Sequence, residues 1–156
     1  MSAVTVGVIS DTHGLLRPQA LEVLRGSQLI IHAGDVGEPD IISELARLAP
    51  VHAIRGNVDI APWAESLPET DVIDVAGLHI YVVHDIKKLD LNPSSAGFAA
   101  VISGHSHKPD KTTRGGVLYF NPGSAGPKRF NLPITVGRLS VRNETISGEI
   151  IPLHVG

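Results

Sequence analysis

Apolar runs alternate with helix-patterned segments in the first third of the chain. Residues 4–9, 29–33 and 51–54 are short, mainly aliphatic runs that predict strands, the first of them buried on both faces. Residues 15–25 and 39–48 place apolar side chains at helical spacing, which predicts a helix after each of the first two strands. This strand–helix repeat indicates a parallel sheet with right-handed crossovers.

The pattern changes after residue 60, where strands follow one another without long helices between them. Apolar runs predict strands over 71–75, 79–84, 98–102, 111–114, 117–120, 134–141 and 145–153, with hairpin turns between several of them. A loop at 62–68 holds the only Trp, and a polar connector at 87–96 is expected to contain a short helix near Pro93. We therefore expect two sheets packed face to face, with helices on the N-terminal half.

Composition narrows the class of protein. The 156 residues are 42% hydrophobic and 19% charged, which predicts one globular domain over 1–156. A net charge of -3 and a pI near 6.2 give no reason to expect stable binding to nucleic acid or membranes. No signal peptide is evident, and no apolar run approaches the ~18 residues of a membrane span. The absence of cysteine excludes disulfides and thiolate metal sites, so we predict a cytoplasmic protein.

Pairs of metal-binding side chains follow two of the predicted strands. His105 and His107 come directly after one buried run, and Asp11 and His13 come directly after another. Residues two apart in an extended chain point to the same side, so each pair is expected to reach one point at the end of its strand. Two such pairs in one chain predict a shared site.

Three more potential ligands end other predicted strands. Asp35, Asn57 and His84 lie at the edge where open α/β sheets bind their ligands. Glycine at 34, 56 and 104 precedes a polar residue and lets the backbone approach an ion or a phosphate closely. The seven candidates comprise four His, two Asp and one Asn, more than one ion usually needs. This set predicts two ions bridged by a carboxylate, with water completing the coordination.

The order of these motifs resembles that of a known family. Five motifs occur at strand ends: Asp11-x-His13, Gly34-Asp35, Gly56-Asn57-x-Asp59, His84 and Gly104-His105-x-His107. Together they resemble the calcineurin-like metallophosphoesterases, specifically their small single-domain phosphodiesterase branch. Asn121-Pro122-Gly123-Ser124 resembles the loop after the metal-binding strands in that branch. The resemblance covers nearly the whole chain and implies an α/β fold, a four-layer αββα sandwich of two mixed β-sheets flanked by helices.

The resemblance also implies a role for each site residue. One divalent ion is expected on Asp11, His13 and His107, and the other on Asn57, His84 and His105, with Asp35 bridging the two. Asp35, Asn57 and His105 are implied to be catalytic, and Asn57, Asn121 and Ser124 to contact the substrate. Manganese is the leading candidate for both ions, and iron, nickel, cobalt and zinc suit the same ligands.

The implied activity is hydrolysis of phosphodiester bonds. Two cations ~3.5 to 4 Å apart acidify a bridging water to hydroxide, orient the phosphate and stabilise its developing charge. The expected partners are a small phosphodiester or nucleotide-like substrate and, in a dimer or tetramer, further copies of the chain.

Two residues depart from the family pattern. Val58 stands where many relatives carry a His that is thought to assist the leaving group, so poor leaving groups are expected to react slowly. Asp85 stands where many relatives carry Gly, close to the second ion, and is expected to repel dianionic monoesters.

Two other functions fit the same motifs. One is a non-catalytic scaffold, since a trafficking-complex subunit shares this fold with a weakened metal site, although the complete ligand set here favours an enzyme. The other is a phosphomonoesterase or nucleotide pyrophosphatase. Asp59 is expected to cap the turn that follows it rather than to bind metal. The remaining notable residues are assigned to packing or the surface: His32, His52, His79, His154, Trp63, Lys128 and Arg129.

Overall fold

The computed structural model describes residues 3–155. Its main elements, in chain order, are β1 (Val4–Ile9), α1 (Pro18–Leu24), β2 (Leu29–His32), α2 (Pro39–Ala46), β3 (Val51–Ala53), β4 (Thr70–Val75), β5 (Leu78–Val83), β6 (Phe98–Ile102), β7 (Asp110–Arg114), β8 (Val117–Asn121), β9 (Thr135–Arg142) and β10 (Thr145–Pro152). Short 3₁₀ helices at Pro62–Ser66 and Ile86–Lys88 lie in the loops after β3 and β5. Every predicted strand is present, with ends shifted by a residue or so.

The ten strands form two mixed sheets of five strands each. In the first sheet the order is β10-β9-β1-β2-β3, and β1, β2 and β3 are parallel, as the strand–helix repeat predicts. In the second sheet the order is β4-β5-β6-β8-β7, with β5, β6 and β8 parallel and the two outer strands antiparallel to their neighbours. The predicted pair of mixed sheets is confirmed.

Three apolar clusters define the layers. The largest lies between the two sheets and includes Val8 and Phe120. The second lies between the first sheet and the two helices and includes Ile9 and Leu24. Neighbours along β1 therefore point to opposite layers, which explains why this strand is apolar throughout. The third cluster, around Val101, is on the outer face of the second sheet, where an irregular segment with a 3₁₀ helix supplies the covering layer.

The helices are fewer and shorter than the pattern predicts. α1 begins at Pro18 rather than at residue 15, because Arg17 is extended (φ -76°, ψ 142°), as residues before proline usually are. The prediction of a helix near Pro93 is wrong. Residues 93–97 form turns, and Gly97, with a φ of 84°, ends these turns just before β6. No helix within 3–155 is long and apolar enough to cross a membrane.

Hydrogen bonds join the strand ends at one rim of the two sheets. The Asp11 N–H donates to the Gly34 carbonyl (3.0 Å), which links the loops after β1 and β2. The Gly104 N–H donates to the His84 carbonyl (2.9 Å), which links the ends of β6 and β5. His84 Nδ1 donates to the Ala33 carbonyl (2.7 Å), so the rims of the two sheets are joined directly.

Candidate metal centre

The seven predicted ligands converge at this rim. Two sets of three side chains each hold ligand atoms within 4.8 Å of one another: Asp11, His13 and His107, which we call the first ligand group, and Asp35, His84 and His105, which we call the second ligand group. The seventh residue, Asn57, lies beside the second ligand group, with its Oδ1 3.2 Å from His105 Nδ1.

Buried polar atoms without partners mark the same place. Five side-chain N or O atoms among residues 3–155 are buried without a hydrogen bond, and four of them belong to the ligand groups. These four are Asp11 Oδ1, His13 Nε2, His84 Nε2 and His107 Nδ1. Leaving such an atom unpaired costs about 1–3 kcal/mol, so a folded protein concentrates them only where something binds. Of these atoms, Asp11 Oδ1 lies 3.9 Å from His13 Nε2 and 3.8 Å from His84 Nε2, and such a group of carboxylate and imidazole atoms fits a divalent cation.

Asp35 stands between the two ligand groups. Its Oδ2 is 3.1 Å from His84 Nε2 in its own group and 3.7 Å from His13 Nε2 in the other. Its Oδ1 accepts a hydrogen bond from the Val58 N–H (3.0 Å), which fixes the carboxylate plane. Asp11 Oδ1 also reaches toward both groups, at 3.5 Å from His107 Nε2 and 3.8 Å from His84 Nε2.

Burial shapes the charges of the first ligand group. Burial raises the pKa of Asp11 to about 6, although the Ser10 hydroxyl donates a hydrogen bond to this carboxyl. Burial also lowers the pKa of His13, and burial together with the Arg129 charge lowers the pKa of His107 to about 4. Both imidazoles are therefore neutral near pH 7, which is the state that binds metal.

The second ligand group contains an ion pair. Burial works to raise the pKa of Asp35, but the close His84 ring and the hydrogen bond from the Val58 N–H outweigh it and bring that pKa to about 2. Burial works to lower the pKa of His84, yet the close Asp35 carboxylate and the bond to the Ala33 carbonyl carry it above its usual value. A cation that binds here displaces the His84 proton.

The ligand loops hold an uncommon backbone conformation. Among residues 3–155, nine non-glycine residues have positive φ, and five of them are predicted ligands: Asp11 (57°), His13 (48°), Asp35 (57°), His105 (69°) and His107 (63°). Such residues cost roughly 1–3 kcal/mol each and cluster at functional sites. The expectation of extended i, i+2 pairs is therefore wrong in its geometry: the ligands lie in turns beyond the strands, and His105 and His107 join different groups.

Two glycines allow these loops to pack. A Cβ on Gly34 would lie 2.5 Å from His84 Nδ1, and the φ of Gly34 is 103°. A Cβ on Gly104 would lie 2.7 Å from Asp11 Oδ2. At both positions the backbone therefore packs so closely against a predicted ligand side chain that a residue with a Cβ would not fit.

His32 links the loops of two ligands, which the sequence analysis did not predict. Its ring is fully buried, with Nε2 3.0 Å from Thr12 Oγ1. The Thr12 hydroxyl donates to the Val36 carbonyl (2.8 Å), so the ring must donate to Thr12, while Nδ1 accepts from the Gly34 N–H (3.1 Å). These bonds require the neutral ring, and burial accordingly lowers the pKa of His32 to about 4. A histidine within an apolar strand was the only sequence signal.

Asp59 fastens the loops around Asp35. Its buried carboxylate accepts hydrogen bonds from the N–H groups of Val36 (3.0 Å), Gly37 (2.9 Å) and Gly56 (2.9 Å). The prediction that Asp59 caps the turn that follows it is therefore corrected, because its partners all precede it in the chain.

Asn121 and Ser124 form hydrogen bonds to the backbone of the ligand loops. Asn121 Nδ2 donates to the Gly104 carbonyl (3.0 Å), and its Oδ1 accepts from the Gly123 N–H (2.9 Å). Ser124 Oγ donates to the Asp11 carbonyl (3.2 Å). Both side chains are buried and already bonded to the backbone, so we revise the predicted substrate contacts of these two residues to a positioning role.

A family model described as the calcineurin-like phosphoesterase superfamily domain matches residues 4–144. The chain belongs to this superfamily. A probable metallophosphoesterase of Methanothermobacter thermautotrophicus is 34% identical over 158 residues, covering 94% of this chain and 91% of the relative. Phosphodiesterase YfcE of Escherichia coli is 28% identical over 169 residues, covering 88% of this chain and 87% of that protein. The family resemblance inferred from the motifs is thus confirmed.

Solved structures support the same fold. The crystal structure of Vps29 from Chaetomium thermophilum superposes with a TM-score of 0.77 at 16% identity, covering 96% of this chain and 97% of that one. At this identity the similarity concerns the fold alone.

The two departures from the phosphoesterase pattern lie on the open side of the site. His105 is 44% exposed, and its Nε2 is 3.7 Å from Asp85 Oδ2. The Val58 side chain is also exposed and offers no proton donor where many family members have a histidine.

The other residues that the sequence analysis assigned to packing or to the surface include Trp63, His52 and His79. Trp63 packs, partly buried, in the cluster between the first sheet and the helices. His52 and His79 form surface pairs with Asp71 and Asp74.

Proposed function

We propose that this chain is a metal-dependent phosphodiesterase that uses two divalent ions. In this proposal Asp11, His13 and His107 bind one ion, Asn57, His84 and His105 bind the other, and Asp35 bridges them. The position of Asp35 Oδ2, within 3.7 Å of an imidazole nitrogen from each ligand group, is the observation that supports it most. The buried atoms of the two ligand groups that have no hydrogen bond among residues 3–155 are the second support.

The residues present suit such ions. Imidazole, carboxylate and amide ligands fit manganese first, and iron, nickel, cobalt or zinc as well. When bound, a pair of such ions supplies hydroxide from water and stabilises charge on the phosphate. The Val58 N–H holds Asp35 Oδ1 and thereby leaves Oδ2 for bridging, and the Ala33 carbonyl holds His84 Nδ1 and leaves Nε2 for metal.

The open side of the site defines the substrate. Asn57 and His105 are exposed there, so we assign them to contact with the reacting phosphate, whereas the buried Asp35 takes part in catalysis by holding both ions. Asp85 adds negative charge beside them, which favours a singly charged diester over a dianionic monoester. Since Val58 cannot protonate a departing oxygen, esters of acidic alcohols such as nitrophenol should react much faster than alkyl esters.

A substrate panel tests this function. The manganese-loaded protein should hydrolyse bis(4-nitrophenyl) phosphate faster than 4-nitrophenyl phosphate, and a chelator should abolish both activities. Asp74→Ala is the matched control, because it removes an exposed carboxylate on β4, beside the start of β5 and thus far from His84 at the other end of that strand, and should leave both rates unchanged.

The panel also separates the competing functions. Faster hydrolysis of the monoester, or of dinucleotides linked through pyrophosphate, would replace the diesterase with a monoesterase or a pyrophosphatase. A metal-loaded protein that hydrolyses none of these esters would support the scaffold, which the fold shared with Vps29 allows.

Several expectations about the setting of the protein stay predictions. These are a single domain over 1–156, a cytoplasmic location, no stable binding to nucleic acid, and a dimer or tetramer.

A further inference from the structure

A cavity of about 750 Å³ opens beside the second ligand group. Asn57, His84 and His105 line it, whereas no residue of the first ligand group does. His84, whose Nε2 is buried without a hydrogen bond among residues 3–155, is one of these lining residues. A volume of this size, within the roughly 300–1,000 Å³ of small-molecule sites, adjoins the proposed metal centre on one side only.

The cavity has an apolar part that suits an organic group. Tyr81 and Val83, both nearly buried on β5, form one portion of its lining. Ile60, which is 88% exposed, and Ala61 contribute from the loop after β3. A bare phosphate needs no such surface, so the cavity has room and chemistry for a substituent attached to it.

Acidic side chains dominate the polar part of the cavity. Besides the buried Asp59, the carboxylates are Glu65, Glu69, Asp85 and Asp90. Of the two cations in the lining, Arg55 is 3.5 Å from Glu69 and is therefore already paired, which leaves Lys88. The remaining carboxylates outnumber Lys88, so the part of the cavity away from the proposed ion carries more negative than positive side-chain charge and disfavours a further anion there.

We propose that this cavity binds one alcohol substituent of the phosphodiester and selects uncharged polar or cationic substituents over acidic ones. The proposal rests on the phosphodiesterase function proposed above. Hydroxyl groups of a substituent would donate hydrogen bonds to the carboxylates, a cationic head would neutralise them, and a second phosphate or a carboxylate would be repelled.

Three 4-nitrophenyl phosphodiesters test the selection with one leaving group. Their second alcohol is glycerol, choline or glycolic acid, so only the charge of the substituent changes. For the manganese-loaded protein, kcat/KM for the glycerol and choline esters should exceed that for the glycolate ester roughly tenfold at low salt, and the ratio should shrink at high salt. Calorimetric binding of glycerol phosphate, phosphocholine and phosphoglycolate should follow the same order.

Variants in which carboxylates are replaced by neutral amides identify the source of the selectivity. The triple variant Glu65→Gln, Asp85→Asn, Asp90→Asn should bring the ratio of kcat/KM values toward one. The matched control carries the same charge change on the two helices, at Glu22→Gln, Asp40→Asn and Glu44→Gln, and should keep the original ratio.

The outcomes distinguish the cavity from the catalytic proposal. Equal kcat/KM values for the three esters with equal binding of the three analogues, or a ratio that the cavity variant leaves unchanged, would overturn the cavity proposal while the phosphodiesterase stands. If no ester is hydrolysed, the phosphodiesterase fails, and the analogue binding still decides whether the cavity selects by charge.

Discussion

The two ligand groups share one rim but differ in their access to solvent. In the first ligand group, the side chains of Asp11, His13 and His107 are 0%, 16% and 6% exposed. In the second, His105 is 44% exposed and Asn57 beside it is exposed as well. The large cavity also adjoins only the second. In terms of the proposed function, the difference means that the first ligand group would only hold an ion, whereas the second would hold an ion and also face the substrate.

The two groups also hold their protons differently. The first has a carboxyl with a raised pKa, on Asp11, beside two imidazoles with lowered pKa values. The second has the reverse arrangement, a carboxylate of low pKa on Asp35 beside an imidazole of raised pKa on His84. In each group a cation therefore competes with one proton, but the proton leaves a carboxyl in one case and an imidazole in the other.

The largest effect should follow loss of the residue between the groups. Asp35→Ala removes a ligand from both proposed ions and should lower kcat for an activated diester about 10³-fold or more at saturating metal. His13→Ala affects only the first ligand group and should cost at least tenfold less than that. The rates of both variants are measured side by side with Asp74→Ala as the control. Equal losses of activity in Asp35→Ala and His13→Ala would argue against bridging.

Two histidines of one loop test the difference in access. His107→Ala should weaken manganese binding by about 100-fold, because water cannot easily replace a ligand in the buried group. His105→Ala should weaken it by only about tenfold, since solvent reaches that position and Asn57 is beside it. Calorimetric titration of each variant gives its affinity for manganese. A larger loss of affinity in His105→Ala than in His107→Ala would contradict the proposed difference between the two ligand groups.

The buried His32 should support both groups equally. His32→Leu removes the bonds to Thr12 and Gly34, and we expect about tenfold weaker manganese binding to each ligand group. His32→Gln keeps a donor for Thr12 and should recover part of the affinity. The neighbouring Ile31→Val loses a buried methylene, at about 0.5–1.5 kcal/mol of stability, and should leave manganese binding unchanged. If Ile31→Val weakens binding as much as His32→Leu, the effect of His32 is merely one of stability.

The smallest effect concerns pH. The pKa of Asp11 is raised to about 6, so its carboxyl gains a proton as pH falls through that value and manganese must displace it. The affinity for manganese should fall at least about twofold between pH 7.5 and 6. It should fall more steeply below pH 6, because His84 also takes up a proton that the ion must displace. His107, with a pKa of about 4, should contribute only in stronger acid. Manganese affinity that stays constant from pH 7.5 to 5 would contradict this proton balance.

The strands and the candidate ligands could be predicted from the sequence because both leave local signals in it. Apolar runs that end in a glycine and a metal-binding residue place Asp35 and His105 at the ends of parallel strands, whatever the loops do in detail. The left-handed φ values of these ligands were not predictable, since they arise from packing between the loops of two sheets.

The supporting residues depend on distant partners and were therefore assigned less well. Asp59 accepts from Val36 across 23 positions, and Ser124 donates to Asp11 across 113. Neither bond has a periodicity or a short spacing that reveals it in the sequence. Residues of this kind, which orient ligands without binding an ion, become visible only when the loops are placed in space.

The central claim is that the two ligand groups together hold two ions that the diesterase reaction requires. Its most direct test is a titration of the metal-free protein with manganese, in which bound ion and hydrolysis of bis(4-nitrophenyl) phosphate are followed in the same samples. The account predicts two ions bound per chain, with the rate rising mainly as the second one binds. Full activity at one bound ion, or no hydrolysis with two ions bound, would contradict it.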